Sequence, residues 1–440
     1  MTRWQRSFVD QASARPPGPA NAADARLASA GRSRPVVLLV TTRNWIAPAR
    51  LALELCEAGF VVRAVCPAGN VLKRVTFVEA TRWLPPFNQL RALRREIEAA
   101  APDLIAPADD VAARLLHALH ASARGEGPSN ERLRRLLERS LGGRGGHDRL
   151  YARTGVAAVA GAQDVAGPQT RVITTLAALQ EGLAEFGLPA VLKTDGSSGG
   201  EGVSIVCSPA EAEREWRRLS APPSLLWCLK RLIVDHEVDR LADWVRGRPV
   251  VNLQVFVPGR PATAAAALWR GEVLACVCSE VIETLSPLGP ATVVRVVRHP
   301  QMREAVARMA RRLELSGLCG FDFILDEADE AHLVEINPRA TPTAHLMDAD
   351  GRSPPRALCA AVLGDPVPMG EDRAGERVAL FPQELIRDPK SEHLVTARHD
   401  VPVRCQELVR LGRKLVRRRV RSARFHRSGA SVHQSEIRMR

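Results

Sequence analysis

Two stretches of this 440-residue chain combine residue types with specific chemistry. The first runs Val191-Leu192-Lys193-Thr194-Asp195-Gly196-Ser197-Ser198-Gly199-Gly200-Glu201-Gly202-Val203. An apolar strand delivers a lysine, and a Gly/Ser loop follows. Glycine adopts positive φ at little cost, so successive backbone N–H groups of such a loop can converge on one anion. With an ammonium beneath it, the loop makes a phosphate cradle. Lysine is rare in this chain, at positions 73, 193, 230, 390 and 414 only, and arginine carries nearly all the other positive charge. A lysine at the mouth of this loop is therefore a selective choice. Two other readings share the same letters. Asp-Gly and Gly-Gly also favour a plain hairpin turn. Gly196-Ser197-Ser198-Gly199-Gly200 matches the GxSxG elbow of a serine hydrolase with Ser198 as nucleophile, although that elbow requires a helix directly after the serine and the pattern here leads into another strand. No Gly-Lys-Ser/Thr ends the loop, which excludes a Walker A motif.

The second stretch runs from Gly320-Phe321-Asp322-Phe323-Ile324-Leu325-Asp326 through a short acidic turn to His332-Leu333-Val334-Glu335-Ile336-Asn337-Pro338-Arg339. Both halves alternate with period two, which predicts a hairpin. Phe321 and Phe323 face a core, so Asp322 faces away from it. Val334 and Ile336 are expected to face the core, leaving Glu335 and Asn337 on the face of Asp322. A turn centred between Ala328 and Asp329 sets Asp322 directly across from Glu335. Two carboxylates and an amide then gather hard oxygen donors of the kind Mg²⁺ or Mn²⁺ prefers. The competing reading is a solvated polar face.

The elements that must position these residues follow from the same periodicities. Residues 35–125 alternate strand and helix: strands at Val36–Thr41, Phe60–Val65 and Asp103–Ala106, with helices at Pro48–Ala58, Asn88–Ala101 and Asp110–His120. That order predicts a small parallel α/β unit. The loop after its first strand lacks GxGxxG, so a dinucleotide fingerprint is absent. Asp109 and Asp110 either cap a helix or enter a cleft at the strand ends. Residues 126–365 hold both motifs. Helices are expected at Asn130–Leu141, Asp148–Ala162 and Gln301–Leu315, strands at Val250–Val257, Thr263–Trp269, Glu272–Ile282 and Thr292–Val297, and Trp227–Val245 is ambiguous. Residues 366–403 read as an irregular cover and 404–440 as a basic tail with a possible helix over Leu408–Arg424.

Charge is segregated. Residues 1–34 carry +4, residues 404–440 carry +10, and the rest carries −1. A nucleic-acid face spread over the body has no support from composition. The basic tail fits either an anionic surface or a solvated terminal helix. Residues 1–34 read as a floppy extension, with an Arg-rich targeting segment as the alternative. Nine cysteines without a CxxC argue against a disulfide framework or a zinc site and predict a reduced, cytoplasmic protein. No apolar run approaches membrane-spanning length.

Taken together, the two motifs, in this order, resemble the ATP-grasp superfamily, most closely its carboligases related to the carbamoyl-phosphate synthase ATP-binding fold. The resemblance covers about residues 150–365, and the α/β unit before it looks like the Rossmann-like pre-ATP-grasp domain. It implies an α/β and α+β fold, and an ATP- and Mg²⁺-dependent ligase that activates a small carboxylate as an acyl phosphate for attack by an amine or, less often, a thiol. A nucleotide-binding regulatory protein without turnover is the alternative. The family's roles fall on matching positions. Lys193 would hold the α/β-phosphates beneath a cover formed by Ser197, Ser198, Gly199, Gly200 and Gly202. Gln254 and the backbone of Val255 and Val257 would meet the adenine. Asp322, Glu335 and Asn337 would hold the metal, and Arg339 the transferred phosphoryl group. Arg295 is a further candidate phosphate ligand, and Arg153 stands where many members carry a lysine. One departure is visible: Gly259-Arg260-Pro261 offers no acid to the ribose hydroxyls.

Overall fold

The computed structural model describes residues 33–123, 125, 127–143, 150–196, 202–222, 224 and 248–427, the last ten as backbone only. Residues 1–32, the loop residues Ser197, Ser198, Gly199 and Gly200, and the whole of the ambiguous 227–245 stretch lie outside that set.

The first unit is a four-stranded parallel sheet in the order β3-β2-β1-β4, built from β1 (Val36–Val40), β2 (Val61–Cys66), β3 (Ala80–Trp83) and β4 (Leu104–Pro107). Strand β1 is wholly apolar and covered on both faces, as a central parallel strand requires. Val37 and Leu39 pack towards helix Ala47–Ala58, while Leu38 and Val40 pack towards helices Gln89–Ala100 and Asp110–Ser122. The first helix stops at Gly59, whose φ of 113° returns its N–H to the helix end.

A second sheet has the order β5-β8-β6-β7, from β5 (Thr170–Ile173), β6 (Ala190–Thr194), β7 (Val203–Val206) and β8 (Val251–Val255). Helices Leu176–Phe186 and Pro209–Ser220 cover one face around Leu192 and Leu253. Strands β6 and β7 pair antiparallel with Lys193 opposite Val203. The Gly/Ser loop therefore joins two strands and leads into no helix, which removes the structural context a GxSxG elbow needs.

The largest sheet has seven strands in the order β13-β12-β9-β10-β11-β14-β15. They are β9 (Arg260–Trp269), β10 (Glu272–Thr284), β11 (Ala291–Val296), β12 (Gly317–Leu325), β13 (Ala331–Asn337), β14 (Arg377–Ala379) and β15 (Arg398–His399). Strand β9 runs through Ala262 and Ala264–Ala267, all buried, so helices approach both faces closely. Helix Pro300–Arg312 lies on one face, and helix Pro354–Leu363 with the first α/β unit lies on the other. The β9–β10 turn places Arg270 and Gly271 at φ 52° and 84°, as a two-residue hairpin of this type demands. Cys276 and Cys278 project to one side and sit 3.7 Å apart, sulfur to sulfur, as buried thiols. The eight cysteines among the described residues are all free. Among the described residues no helix is long and apolar enough to cross a membrane.

The β12–β13 hairpin departs from the simple alternation. Near the turn Leu325 pairs with Ala331, Ile324 with His332 and Phe323 with Leu333. The turn is thus centred on Ala328, not between Ala328 and Asp329. Continued unbroken, that register would set Asp322 against Val334. A β-bulge at Val334 intervenes, and beyond it Asp322 pairs with Glu335, Phe321 with Ile336 and Gly320 with Asn337. The residues that enter the core are Leu333 and Ile336, and Val334 is only half-buried. The cross-strand pair expected from the sequence is present, but the core-facing role expected for Val334 belongs to Leu333. A covering segment meets the outer edge of β13 at the bulge: Leu333 N–H donates to Ala166 O at 2.7 Å.

The C-terminal segment is helical over Gln406–Arg427, and its first turns belong to the body. Leu408 and Val409 are each 1 % exposed, and a Cβ added at Gly412 would meet the Phe381 ring at 2.3 Å. The region read as a free basic tail therefore begins inside the core. Burying a Leu or Val side chain is worth about 1.5–3 kcal/mol. Truncation after Val403 is expected to lower the urea midpoint clearly. Truncation after Arg417 removes seven arginines and should leave it unchanged. Equal midpoints for the two truncations would show that the docked turns contribute nothing.

Candidate active site

The cleft lies where the second sheet faces the β12–β13 end of the largest sheet and the strand ends of the α/β unit. Strand alternation turns Leu192 into the core beneath its helices and Lys193 towards the cleft. Lys193 pairs across to Asn252 on β8. Burial first, and then the Arg153 charge, pull its ammonium down to about 8, with Glu335 and Asp322 opposing the drop. These are groups from two sheets and a helix, within electrostatic reach of one another.

Arg153 arrives by a break in the expected helix. The chain is extended at Ala152, and a new helix starts at Arg153 and runs to Gly161. The break frees the Arg153 N–H to donate to Asp195 Oδ1 at 3.1 Å. The same oxygen accepts from Asn252 Nδ2 at 2.9 Å. Asp195 thus ties the root of the Gly/Ser loop to β8 and to the new helix. The Arg153 guanidinium lies 2.6 Å from Glu335 Oε2 and is 7 % exposed. Burial works against its charge, but Glu335, Asp195 and Asp322 together outweigh it.

Asp322 is pushed up to about 6, chiefly by burial and then by the Glu335 carboxylate across the hairpin; Arg339, Asn337 and Arg153 offset part of the rise. Asn337 Nδ2 donates to Asp322 Oδ2 at 3.0 Å, and Asn337 Oδ1 accepts from Arg339 at 3.3 Å. Asp322, Glu335, Asn337 and Arg339 therefore form one connected set. Their oxygens suit a hard divalent cation.

Arg339 is 9 % exposed, and its Nε donates to Asp110 Oδ1 at 2.8 Å. Burial alone would raise the Asp110 carboxyl, yet Arg339, then Arg114 and Arg43, hold it below its ordinary value. Its neighbour Asp109 is a helix cap. Its carboxylate accepts from Thr41 Oγ1, the Thr42 N–H and hydroxyl, and the Ala112 N–H. The adjacent acids thus divide the two roles the sequence left open. Arg114, which the motifs did not single out, stands over the Tyr151 ring at 5.4 Å, and its Nη1 would lie 2.6 Å from a Cβ on Gly196. Gly196 is left-handed at φ 69°, so both space and backbone require glycine there. One cleft is lined by Arg114, Arg153, Gly196, Glu335 and Asn337.

The remaining candidates divide. Gln254 lies on the cleft side of β8, but it is 4 % exposed and its amide donates to Thr170 Oγ1 at 3.0 Å. Val255 ends β8 and pairs with Ala190, and the half-buried Val257 follows on a strand-to-strand link. Gly202 holds the far end of the loop at φ 80°, its carbonyl accepting from the Thr194 N–H. Arg295 is not brought to the site. It belongs to the row Phe323–Ala262–Glu280–Arg295, one step out of phase with the row Asp322–Thr263–Ser279–Val296. It therefore projects from the opposite face, where Glu280 holds it. Arg260, after the β8 end, is occupied by Glu280 and Asp329.

Residues 236–343 match the family model of the ATP-grasp domain. Among solved structures, the chain is similar to N5-carboxyaminoimidazole synthetase from Staphylococcus aureus complexed with ADP, at 13 % identity and TM-score 0.53, over 76 % of this chain and 78 % of that one. It is also similar to the biotin carboxylase domain of the Hydrogenobacter thermophilus 2-oxoglutarate carboxylase in complex with MgADP, ADP and bicarbonate, at 14 % identity and TM-score 0.52, over 79 % and 74 %. A third is N5-carboxyaminoimidazole synthase from Aspergillus clavatus with ADP and aminoimidazole ribonucleotide, at 15 % identity and TM-score 0.51, over 76 % and 78 %. No curated protein sequence matches. The chain carries an ATP-grasp domain within an ATP-grasp fold.

Glu335→Gln should remove the like charge beside Asp322 while keeping the shape of the side chain. The Asp322 carboxyl is then expected to titrate below about 6, nearer the ordinary carboxylate range. Carbon-detected NMR titration reads this directly, and an unmoved Asp322 would mean that Glu335 does not act on it.

Proposed function

We propose that the protein is an ATP- and Mg²⁺-dependent carboxylate–amine ligase. The observation that carries the reading is the convergence of the Lys193 ammonium with the Asp322 and Glu335 carboxylates across one cleft, from separate sheets. Lys193 and the Gly/Ser loop would hold the phosphates of ATP. The adenine would lie against the apolar cleft side of the second sheet, where Ile205 and Val172 are 39 % and 38 % exposed, with its edge at the Val255–Val257 backbone. Asp322, Glu335 and Asn337 would hold the metal, which when bound supplies charge neutralisation at the γ-phosphoryl oxygens. Mn²⁺ would fit the same donors.

A carboxylate oxygen attacks the γ-phosphorus, ADP leaves, and an acyl phosphate forms. The amine nitrogen then attacks the acyl carbon, phosphate leaves, and the nitrogen loses a proton. Arg339, held by Asp110, offers its guanidinium to the phosphoryl oxygens, and Arg153 balances Glu335. The ribose hydroxyls have no acid from Gly259-Arg260-Pro261, consistent with the engagement of Arg260 elsewhere.

A charge-assisted contact between Lys193 and phosphate is worth about 1.5–3 kcal/mol, so Lys193→Met should weaken ATP binding by about tenfold or more in calorimetry. The free protein's ammonium titrates near 8. ATP affinity of the wild type should therefore fall as pH rises above about 8, and the variant should be flat over that range. Parallel pH profiles would remove Lys193 from the phosphate site. ADP release on adding carboxylate and amine pools separates a ligase from a nucleotide-binding protein without turnover.

A further inference from the structure

The last helix carries a row of charge that the candidate active site does not use. Over Gln406–Arg427 the helix spends its inward side on the body. Leu408 and Leu411 belong to the core between the α/β unit and the largest sheet, and Val416 packs on the cluster of Val293, Phe381 and Leu385. Gly412 lies against the Phe381 ring. The other side of the helix is different. Arg410, Lys414, Arg417, Arg421 and Arg424 recur at alternating spacings of four and three, which keeps these cations on one stripe of a helix. At about 1.5 Å of rise per residue, the stripe is about 21 Å long.

The chain supplies nothing nearby to neutralise this stripe. Arg410, Lys414 and Arg417 are exposed and have no ion pair or hydrogen bond among the described residues. In the body, by contrast, Arg153, Arg295 and Arg339 are each held by an acid. No Asp or Glu occurs between Glu407 and Glu436, an interval that contains nine Lys or Arg residues. Like charges at this spacing destabilise a helix, and an anionic partner laid along the stripe removes that penalty.

The partner is narrowed by what the helix has already spent. Lying in a bilayer surface requires a free apolar face, and docking in a protein groove requires apolar anchors. Leu408, Leu411, Gly412 and Val416 are committed to the body, and residues 418–427 offer Val420, Ala423 and Phe425 against five arginines. What remains is a linear array of charge. A duplex presents the complement, with one phosphate per about 3.4 Å of axis on each strand, or about six over the length of the stripe. We propose that the C-terminal helix docks on the phosphate backbone of duplex nucleic acid and does so without reading bases. The contact is confined to this helix, in keeping with the neutral body, and it is independent of the ligase reading.

The probe is a fluorescein-labelled DNA duplex of about 20 base pairs, titrated with the full chain by anisotropy over a series of salt concentrations. Two duplexes of unrelated sequence should bind with equal affinity, and log K should fall with log salt at a slope of about −4 or steeper, as release of counterions by five cations requires. Replacing Arg417, Arg421 and Arg424 together by Gln should weaken binding by at least about tenfold at low salt and make the slope shallower by about 3. Replacing the same three by Lys keeps the charge and should keep the affinity. Replacing Arg3, Arg6 and Arg15 by Gln removes equal charge from the other end of the chain and should change nothing. Three results would each overturn the proposal: no duplex binding at low salt, equal loss in the two Gln variants, or tighter binding to phosphatidylserine-containing vesicles or poly-L-glutamate than to the duplex.

Discussion

Two carboxylates facing each other across a hairpin, in a cleft mostly shut from water, are the constraint around which the rest of the structure is arranged. Asp322 and Glu335 repel, and burial raises the cost of keeping both ionised. The Asp322 carboxyl at about 6 measures that cost, roughly 3 kcal/mol relative to its ordinary value. Because the native state holds this proton more tightly than the unfolded chain, the group's contribution to stability grows as pH falls from about 6 towards 3.8. A fold that keeps such a pair at neutral pH needs cations placed with accuracy. It places three: Arg153 on Glu335, Arg339 near Asp322, and Lys193 across the cleft.

Each cation is held by a different part of the molecule, so the charge requirement determines how the units meet. Arg339 is oriented by Asp110, and the next residue donates its N–H to Pro107 O at the end of β4. The α/β unit therefore touches the site at its strand ends, where open parallel sheets place their functional groups. Arg153 depends on the helix break at Ala152 and on Asp195, which also anchors the loop root. A change at Asp195 would disturb the lysine strand, the arginine helix and the loop together. The C-terminal segment closes the other side. Asp400 joins Arg50 of the first helix to His345 of the segment after Arg339 and holds its own carboxyl well below the usual range, with Arg50 and His345 overcoming burial.

The neutrality of the body, apart from its basic ends, is consistent with this economy of charge. Buried Arg153, Arg339 and Asp400 and the largely buried Arg50 each have a partner of opposite charge, and the positive excess of the sequence lies in its two terminal segments. The outward residues of the last helix, Arg410, Lys414 and Arg417, follow one another at helical spacing on the exposed side, while Leu408 and Val409 are buried. One helix thus serves both as core and as carrier of surface charge.

Local pattern determined much of this by itself. Apolar runs and helix stops marked the α/β unit, period-two alternation marked the hairpin that carries Asp322 and Glu335, and the isolated lysine before a Gly/Ser loop marked the second sheet's contribution. These are properties of neighbouring residues, and physical forces act on them within a few positions along the chain. Tertiary structure decided the rest. The turn centre on Ala328 would have put Asp322 opposite Val334, and only the bulge, an extra residue in one strand, restored the pair. Arg295 looked like a phosphate ligand until the sheet order set it one step out of phase and beside Glu280. Asp110 and Asp109 were indistinguishable in sequence, and Arg114 carried no local mark at all. Side-chain chemistry is written in the sequence, but the face a residue occupies and the charge it meets depend on strand pairing and packing between segments hundreds of residues apart.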